Sequence, residues 1–204
     1  MVVTASRVES GGRGEDRLAI ERVEARVLVV VADGAGGTAA GDRAAEATCD
    51  AVVRAFHASE VDRSTWAGYL RTIDSMIIAA GHGGVSTAVI VEVVDGLVSG
   101  ASVGDSSAWI ISENGVIDLT ESQVRKPLLG TGQAEPVAFG PVRMLGRLVV
   151  GTDGLFKYAP RAKLTNVALE GTPDVAAAAL VEAVRLKSGR LQDDVAVVVC
   201  DGTG

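Results

Sequence analysis

Asp33, Asp105, Asp153 and Asp193 share one kind of address: each stands beside the end of an apolar run. Asp33 closes "RVLVVVA", Asp153 follows "GRLVVGT", Asp105 follows "ASVG", and Asp193 with Asp194 precedes "VAVVVC"; Asp16 opens "DRLAI". A carboxylate at the mouth of a buried strand is costly unless something positive meets it. In an antiparallel stack the end of one strand lies beside the start of its neighbour, so these acids are expected to converge at one edge. Converging carboxylates repel and do not all stay ionised without a cation. An all-oxygen set with no His or Cys nearby selects a hard ion, Mg²⁺ or Mn²⁺, less often Ca²⁺. A carboxylate shared by two such ions about 3.5–4 Å apart is a hydrolytic arrangement. The glycines after Asp33 suit this chemistry. Gly34 allows a tight turn and offers a carbonyl, while Gly36 and Gly37 clear room for a bulky substrate. Taken singly, an Asp-Gly pair marks only a turn; the recurrence at equivalent positions is what points to a shared ion.

The elements that must position these acids can be read from periodicity. Residues 16–22 alternate weakly and 26–32 are almost continuously apolar, a strand buried on both faces. A helix is expected over 39–57, with Ala44, Thr48, Ala51, Val52, Ala55 and Phe56 on one face. A second spans about 65–80 through Trp66, Leu70, Ile73 and Ile77, with Asp62 or Ser64 as its cap. "STAVIVEVV" and "LVSGASVG" flank Asp95-Gly96, a hairpin signal; "SAWIIS" and "VIDL" flank a second at Glu113-Asn114-Gly115. Residues 120–145 hold three of the five prolines and read as a loop or flap with one strand. Strands follow at 146–152 and 194–200, separated by a helix that Thr172-Pro173-Asp174 opens and that runs to about 187, with Gly189 to stop it. Consecutive strands joined by tight turns are antiparallel, so the chain is α+β, a sandwich with two sheets inside and helices outside. One domain covers residues 1–204.

Composition narrows the function classes. Apolar residues make up 48% of 204 but aromatics only 3%, so Val, Ala, Leu and Ile must build the core. The formal charge of −7 argues against nucleic acid or an anionic membrane as partner. Cys49 and Cys200 are isolated, no disulfide framework, and read as core residues in a reducing compartment. No segment resembles a signal peptide or reaches membrane-spanning length, so a cytoplasmic location is expected.

In their order, "ADGAGGTAAGDRAA", "GGVSTAVIVEV", "ASVGDSSAWII", "VVGTDGLF" and "DDVAVVV" resemble the motifs of the metal-dependent, type 2C serine/threonine protein phosphatases, the PPM family, in a compact bacterial form. The resemblance spans about residues 14–200 and implies a four-layer αββα sandwich. It implies that Asp33 bridges two Mn²⁺ or Mg²⁺ ions, with the Gly34 carbonyl on one of them. Asp153 and Asp193 would hold the first ion. Asp16, with Glu15 nearby, would serve the second, and Asp105 would join Asp153 on a weaker third. Water between the ions would attack phosphorus in line, with no protein nucleophile. The implied substrate is a protein phosphorylated on serine or threonine, so the partners would be a Ser/Thr kinase or its targets.

The chain departs from the family pattern at several places. The phosphate-clamping Arg expected five residues before Asp16 is Gly11, leaving Arg13 as the candidate catalytic cation and Arg17 as its neighbour. Ala35 stands where many members have His, and His57 and His82 are poor replacements. Ser107 replaces the Arg of Gly-Asp-Ser-Arg, Asp194 replaces the closing Asn, and the flap is short. These departures motivate a rival reading: a family member without catalysis, acting as a phosphoprotein- or partner-binding module. A phosphatase with an aspartyl-phosphate intermediate ranks lower, because Ala35 holds the place of its second acid.

Overall fold

The computed structural model describes residues 2–36, 40–58, 65–81 and 83–202. In chain order, β1 (Val2–Glu9), β2 (Asp16–Val23) and β3 (Arg26–Ala35) precede α1 (Ala40–Ala58) and α2 (Trp66–Ala80). The strands β4 (Val85–Ser86), β5 (Ala88–Val94), β6 (Leu97–Val103), β7 (Ser107–Ser112), β8 (Gly115–Asp118), β9 (Val137–Arg143) and β10 (Arg147–Gly151) follow. Helices α3 (Asp153–Phe156), α4 (Arg161–Ala168) and α5 (Pro173–Val184) lead to β11 (Val195–Gly202).

One sheet runs β1-β11-β10-β7-β8 and the other β2-β3-β5-β6-β9, with β4 on β3, and every pairing is antiparallel. The period-2 geometry of a strand splits each apolar run between two faces. In β3, Leu28, Val30 and Ala32 pack under α1 and α2 with Phe56, Trp66 and Leu70. The alternate residues Val27, Val29 and Val31 meet Leu148, Val150 and Val198 of the other sheet. On the far side, Val149, Val197 and Val199 pack against Leu164, Leu180 and Val181 of α4 and α5. Three apolar interlayers make four layers, αββα. That is why β3, β5, β10 and β11 carry nearly unbroken apolar runs: both of their faces are buried.

Both hairpins expected from Asp95-Gly96 and from Glu113-Asn114-Gly115 are present as β5–β6 and β7–β8. Asp95 takes φ 51° and Gly96 φ 73°, the left-handed pair that a two-residue turn requires. The Thr172 side chain accepts from the Val175 amide at the start of α5. The proposed caps Asp62 and Ser64 lie outside the described residues.

Several sequence expectations need correction. Asp16 does not begin the first strand; β1 does, as an edge strand on β11, and its mixed burial hides it from periodicity. The helix α5 ends at Val184, short of 187, and Gly189 instead closes a turn by donating its amide to the Leu186 carbonyl. The helix α4 gives no periodic signal because only Leu164 and Ala168 of its eight residues are buried. Within 120–145, β9 is the one strand, but the rest is firmly held. Leu129 is fully buried and bridges Ser86, and Asp74 of α2 accepts from the amides of Gly130, Gly132 and Ala134 at 2.6, 2.9 and 3.1 Å.

Candidate metal centre

Adjacent strands place the first two acids: Asp16 and Asp33 are directly opposed across β2 and β3. The backbone of Asp33 is fixed from the other side. Its amide donates to Thr87 Oγ1 at 2.9 Å, and its carbonyl accepts from the Thr87 amide at 2.9 Å. Thr87 Oγ1 also shares a 2.8 Å hydrogen bond with Ser106 Oγ, next to Asp105. The Ser-Thr and Asp-Ser pairs in the quoted motifs are therefore struts that hold the acid-bearing turns.

The other sheet delivers Asp153, first residue of α3 after β10, and Asp193, two residues before β11. Thr152 joins the two sheets. Its hydroxyl donates to Asp16 Oδ2 at 2.7 Å and accepts from the Ala196 amide at 2.9 Å. Tyr158 donates its hydroxyl to Asp193 Oδ2 at 3.3 Å. Neither Thr152 nor Tyr158 carries a sequence signal: the motif "VVGTDGLF" contains Thr152, but nothing local marks a bond to a residue so far back in the chain.

Mutual repulsion shows that the acids share one field. Burial first, then the charges of Asp16, Asp153, Asp193 and Asp105, push the Asp33 carboxyl up to about 8. Burial also raises Asp16 to about 7, against the Thr152 hydrogen bond and with help from Asp194, Asp153 and Asp193. Asp153 is raised by burial and by Asp105, and Lys157 opposes that shift from 3.5 Å. Among the described residues no three His, Cys, Asp or Glu side chains already stand as a closed set around one ion. The donor set is nonetheless all oxygen, half-buried and short of positive charge, and such a set suits hard divalent cations.

Asp194 behaves differently from its neighbours. Burial works to raise its carboxyl, but four hydrogen bonds outweigh burial and hold it below the usual range. They come from the amides of Glu15, Gly11 and Gly12 and the hydroxyl of Ser10, at 2.8, 2.7, 3.2 and 2.9 Å. Asp194 thus shapes the turn that carries Gly11, Arg13 and Asp16. A Cβ on Gly11 would lie 2.2 Å from the Asp193 carbonyl oxygen, so this turn admits no side chain there. Arg13 has a side chain 73% exposed, and its guanidinium lies 3.8 Å from Glu15. Arg17 is not a free alternative: its guanidinium pairs with Asp42 and donates to the carbonyls of Gly14 and Asp16. His57 pairs with Glu21 on the surface, away from the acids, and His82 lies outside the described residues.

Gly34 is explained by packing before chemistry. A Cβ on it would meet the Gly41 carbonyl oxygen of α1 at 2.1 Å, so the bare backbone lets the helix start seat against β3. Gly36 packs beside Gly84, and Gly37 lies outside the described residues. Cys49 and Cys200 are buried free thiols in the core layers.

Two stacked antiparallel sheets, helices on both outer faces and acids from both sheets at one edge define a fold shared with bacterial serine/threonine phosphatases. A variant of a bacterial serine phosphatase superposes with TM-score 0.87 at 22% identity, covering 98% of this chain and 97% of that one. Phosphatase Stp1 of Staphylococcus aureus gives 0.82 at 21%, covering 100% and 96%. The catalytic domain of the serine threonine protein phosphatase PstP, in complex with two manganese ions, gives 0.81 at 21%, covering 98% and 97%. The stage II sporulation protein E (SpoIIE) family matches residues 24–202, and the chain belongs to that family. No curated protein matches it by sequence. Among the described residues no helix is long and apolar enough to cross a membrane.

Proposed function

We propose that the chain hydrolyses phosphoserine or phosphothreonine in proteins, using two Mn²⁺ or Mg²⁺ ions held by Asp33, Asp16, Asp153, Asp193 and the Gly34 carbonyl, with Asp105 and Asp153 on a weaker third. The observation that carries this reading is the convergence at Asp33: Asp16 opposes it across β2 and β3, and Thr152 ties Asp16 to the sheet that carries Asp153 and Asp193. Four other carboxylates raise the cost of charging Asp33, and divalent cations would lift a cost that is otherwise met by protonation. Bound divalent ions would supply Lewis acidity toward the phosphate and a water acidic enough to attack it near neutral pH. The protein's part is positioning. Thr87 and Ser106 fix the Asp33 turn, Thr152 orients Asp16 across the gap between the sheets, and Tyr158 orients Asp193. Arg13, exposed beside Glu15, is a cation in place to meet a substrate phosphate.

The fold relatives support this reading: the solved phosphatases superpose over nearly the whole chain, and the PstP domain is in complex with two manganese ions. The expected result is that Asp33→Ala lowers Mn²⁺-dependent hydrolysis of an aryl phosphate by more than about a hundredfold, beyond what loss of a supporting residue costs. Activity retained in that variant refutes the assignment.

A second reading has its own observation. The turn that excludes a side chain at Gly11 leaves no clamping Arg at that place, which favours a binding module without turnover. Manganese calorimetry beside the same assay separates the two: tight metal binding with no hydrolysis supports the module.

A further inference from the structure

A cleft of about 380 Å³ opens directly beside the acids. Asp105 and Asp153 form one of its walls, so it is continuous with the metal centre. Trp109 and Phe156 line its apolar side, their rings 4.4 Å apart, and the Arg161 guanidinium lies 4.7 Å over the Trp109 ring. Two further cations reach the cleft. Arg125 is exposed and has no ion-pair partner among the described residues, and the Lys157 side chain is 58% exposed. The remaining acid of the lining, Asp118, spends Oδ1 on the amide and hydroxyl of Thr120 at 3.0 and 2.8 Å.

Resting on the phosphatase reading, we propose that this cleft seats the phosphoprotein segment on either side of the phosphorylated residue, and that Arg125 and Lys157 make it select acidic side chains there. With ions on Asp105 and Asp153, Arg125 and Lys157 outnumber Asp118 in the lining, so the net charge facing the cleft is positive. An extended segment brings carboxylates to those cations and lays apolar side chains on Trp109 and Phe156, while its phosphate points to the acids. Exposed ion pairs of this kind tune selection more than overall affinity.

The test uses the full chain with Mn²⁺ and fluorescein-labelled peptides that carry a non-hydrolysable phosphonate analogue of phosphoserine flanked by Glu, Ala or Lys. Fluorescence anisotropy gives affinities for wild type, Arg125→Glu and Arg125→Lys, and aryl phosphate hydrolysis runs in parallel. Wild type is expected to bind the Glu-flanked peptide about three- to fivefold more tightly than the Ala-flanked one. Arg125→Glu should abolish or invert that order, and Arg125→Lys should keep it. Equal affinities for all three peptides, or an order untouched by Arg125→Glu, overturn the proposal. A peptide preference without any aryl phosphate turnover leaves the cleft standing and removes the phosphatase reading instead.

Discussion

The 2.2 Å gap between a Cβ on Gly11 and the Asp193 carbonyl oxygen is shorter than any such contact tolerates. An arginine placed there to restore the family clamp would have to push away the backbone of a candidate ligand. Gly11→Arg is therefore expected to cost about 1–3 kcal/mol of stability, the usual penalty of overpacking, and to weaken Mn²⁺ binding rather than strengthen phosphate binding. Urea denaturation and manganese calorimetry on the variant check both. Asp194 belongs to the same argument. A neutral Asn offers one carbonyl oxygen, whereas the carboxylate accepts three amides and a hydroxyl at once. The Asp in place of the closing Asn is what holds the Gly-rich turn in place.

At the scale of elements, the segment between β8 and β9 shows how a loop without periodicity is held by a distant helix. Asp74, buried on α2, satisfies three amides of residues 130–134. Asp74→Ala leaves those donors unmet and should cost about 2–3 kcal/mol, since hydrogen bonds to a charged acceptor are the stronger kind. Hydrogen exchange should quicken at Gly130, Gly132 and Ala134 while the sheet amides stay protected. This anchoring was not legible in the sequence, because its partners are far apart in the chain and obey no period. What was legible followed from burial on two faces: the runs of β3, β5, β10 and β11, the amphipathic stripes of α1 and α2, and the two hairpin turns. The edge strand β1 and the helix α4 escaped because each buries only part of its surface. The acids were visible because strand ends are visible, and the opposition of Asp16 and Asp33 follows from strand register. The Thr152 bond comes from the approach of the two sheets and the Tyr158 bond from the pairing of β10 with β11, neither of which a local pattern encodes.

For the molecule as a whole, the acids make stability depend on pH and metal together. The Asp33 and Asp16 carboxyls titrate near 8 and 7 in the folded chain against 3.8 as the ordinary value. The folded state thus binds protons more tightly than the unfolded state between those limits. Their contribution to stability is intact below about pH 4, declines as pH rises, and is lost above about 8. With a chelator present, the thermal midpoint should fall between pH 6 and 8.5. Added Mn²⁺ should raise it, and by more at pH 8 than at pH 6, because only ionised carboxylates take up the ion. Scanning calorimetry across that range measures both slopes; a midpoint flat with pH in chelator contradicts the described burial. The Thr152 hydroxyl, which spans from one sheet to Asp16 of the other, carries a mechanical meaning. Asp16 and Asp33 travel with one sheet, Asp153 and Asp193 with the other. A divalent ion held by acids of both sheets would rivet the seam of the sandwich, so a force that shears one sheet along the other would strain that rivet directly.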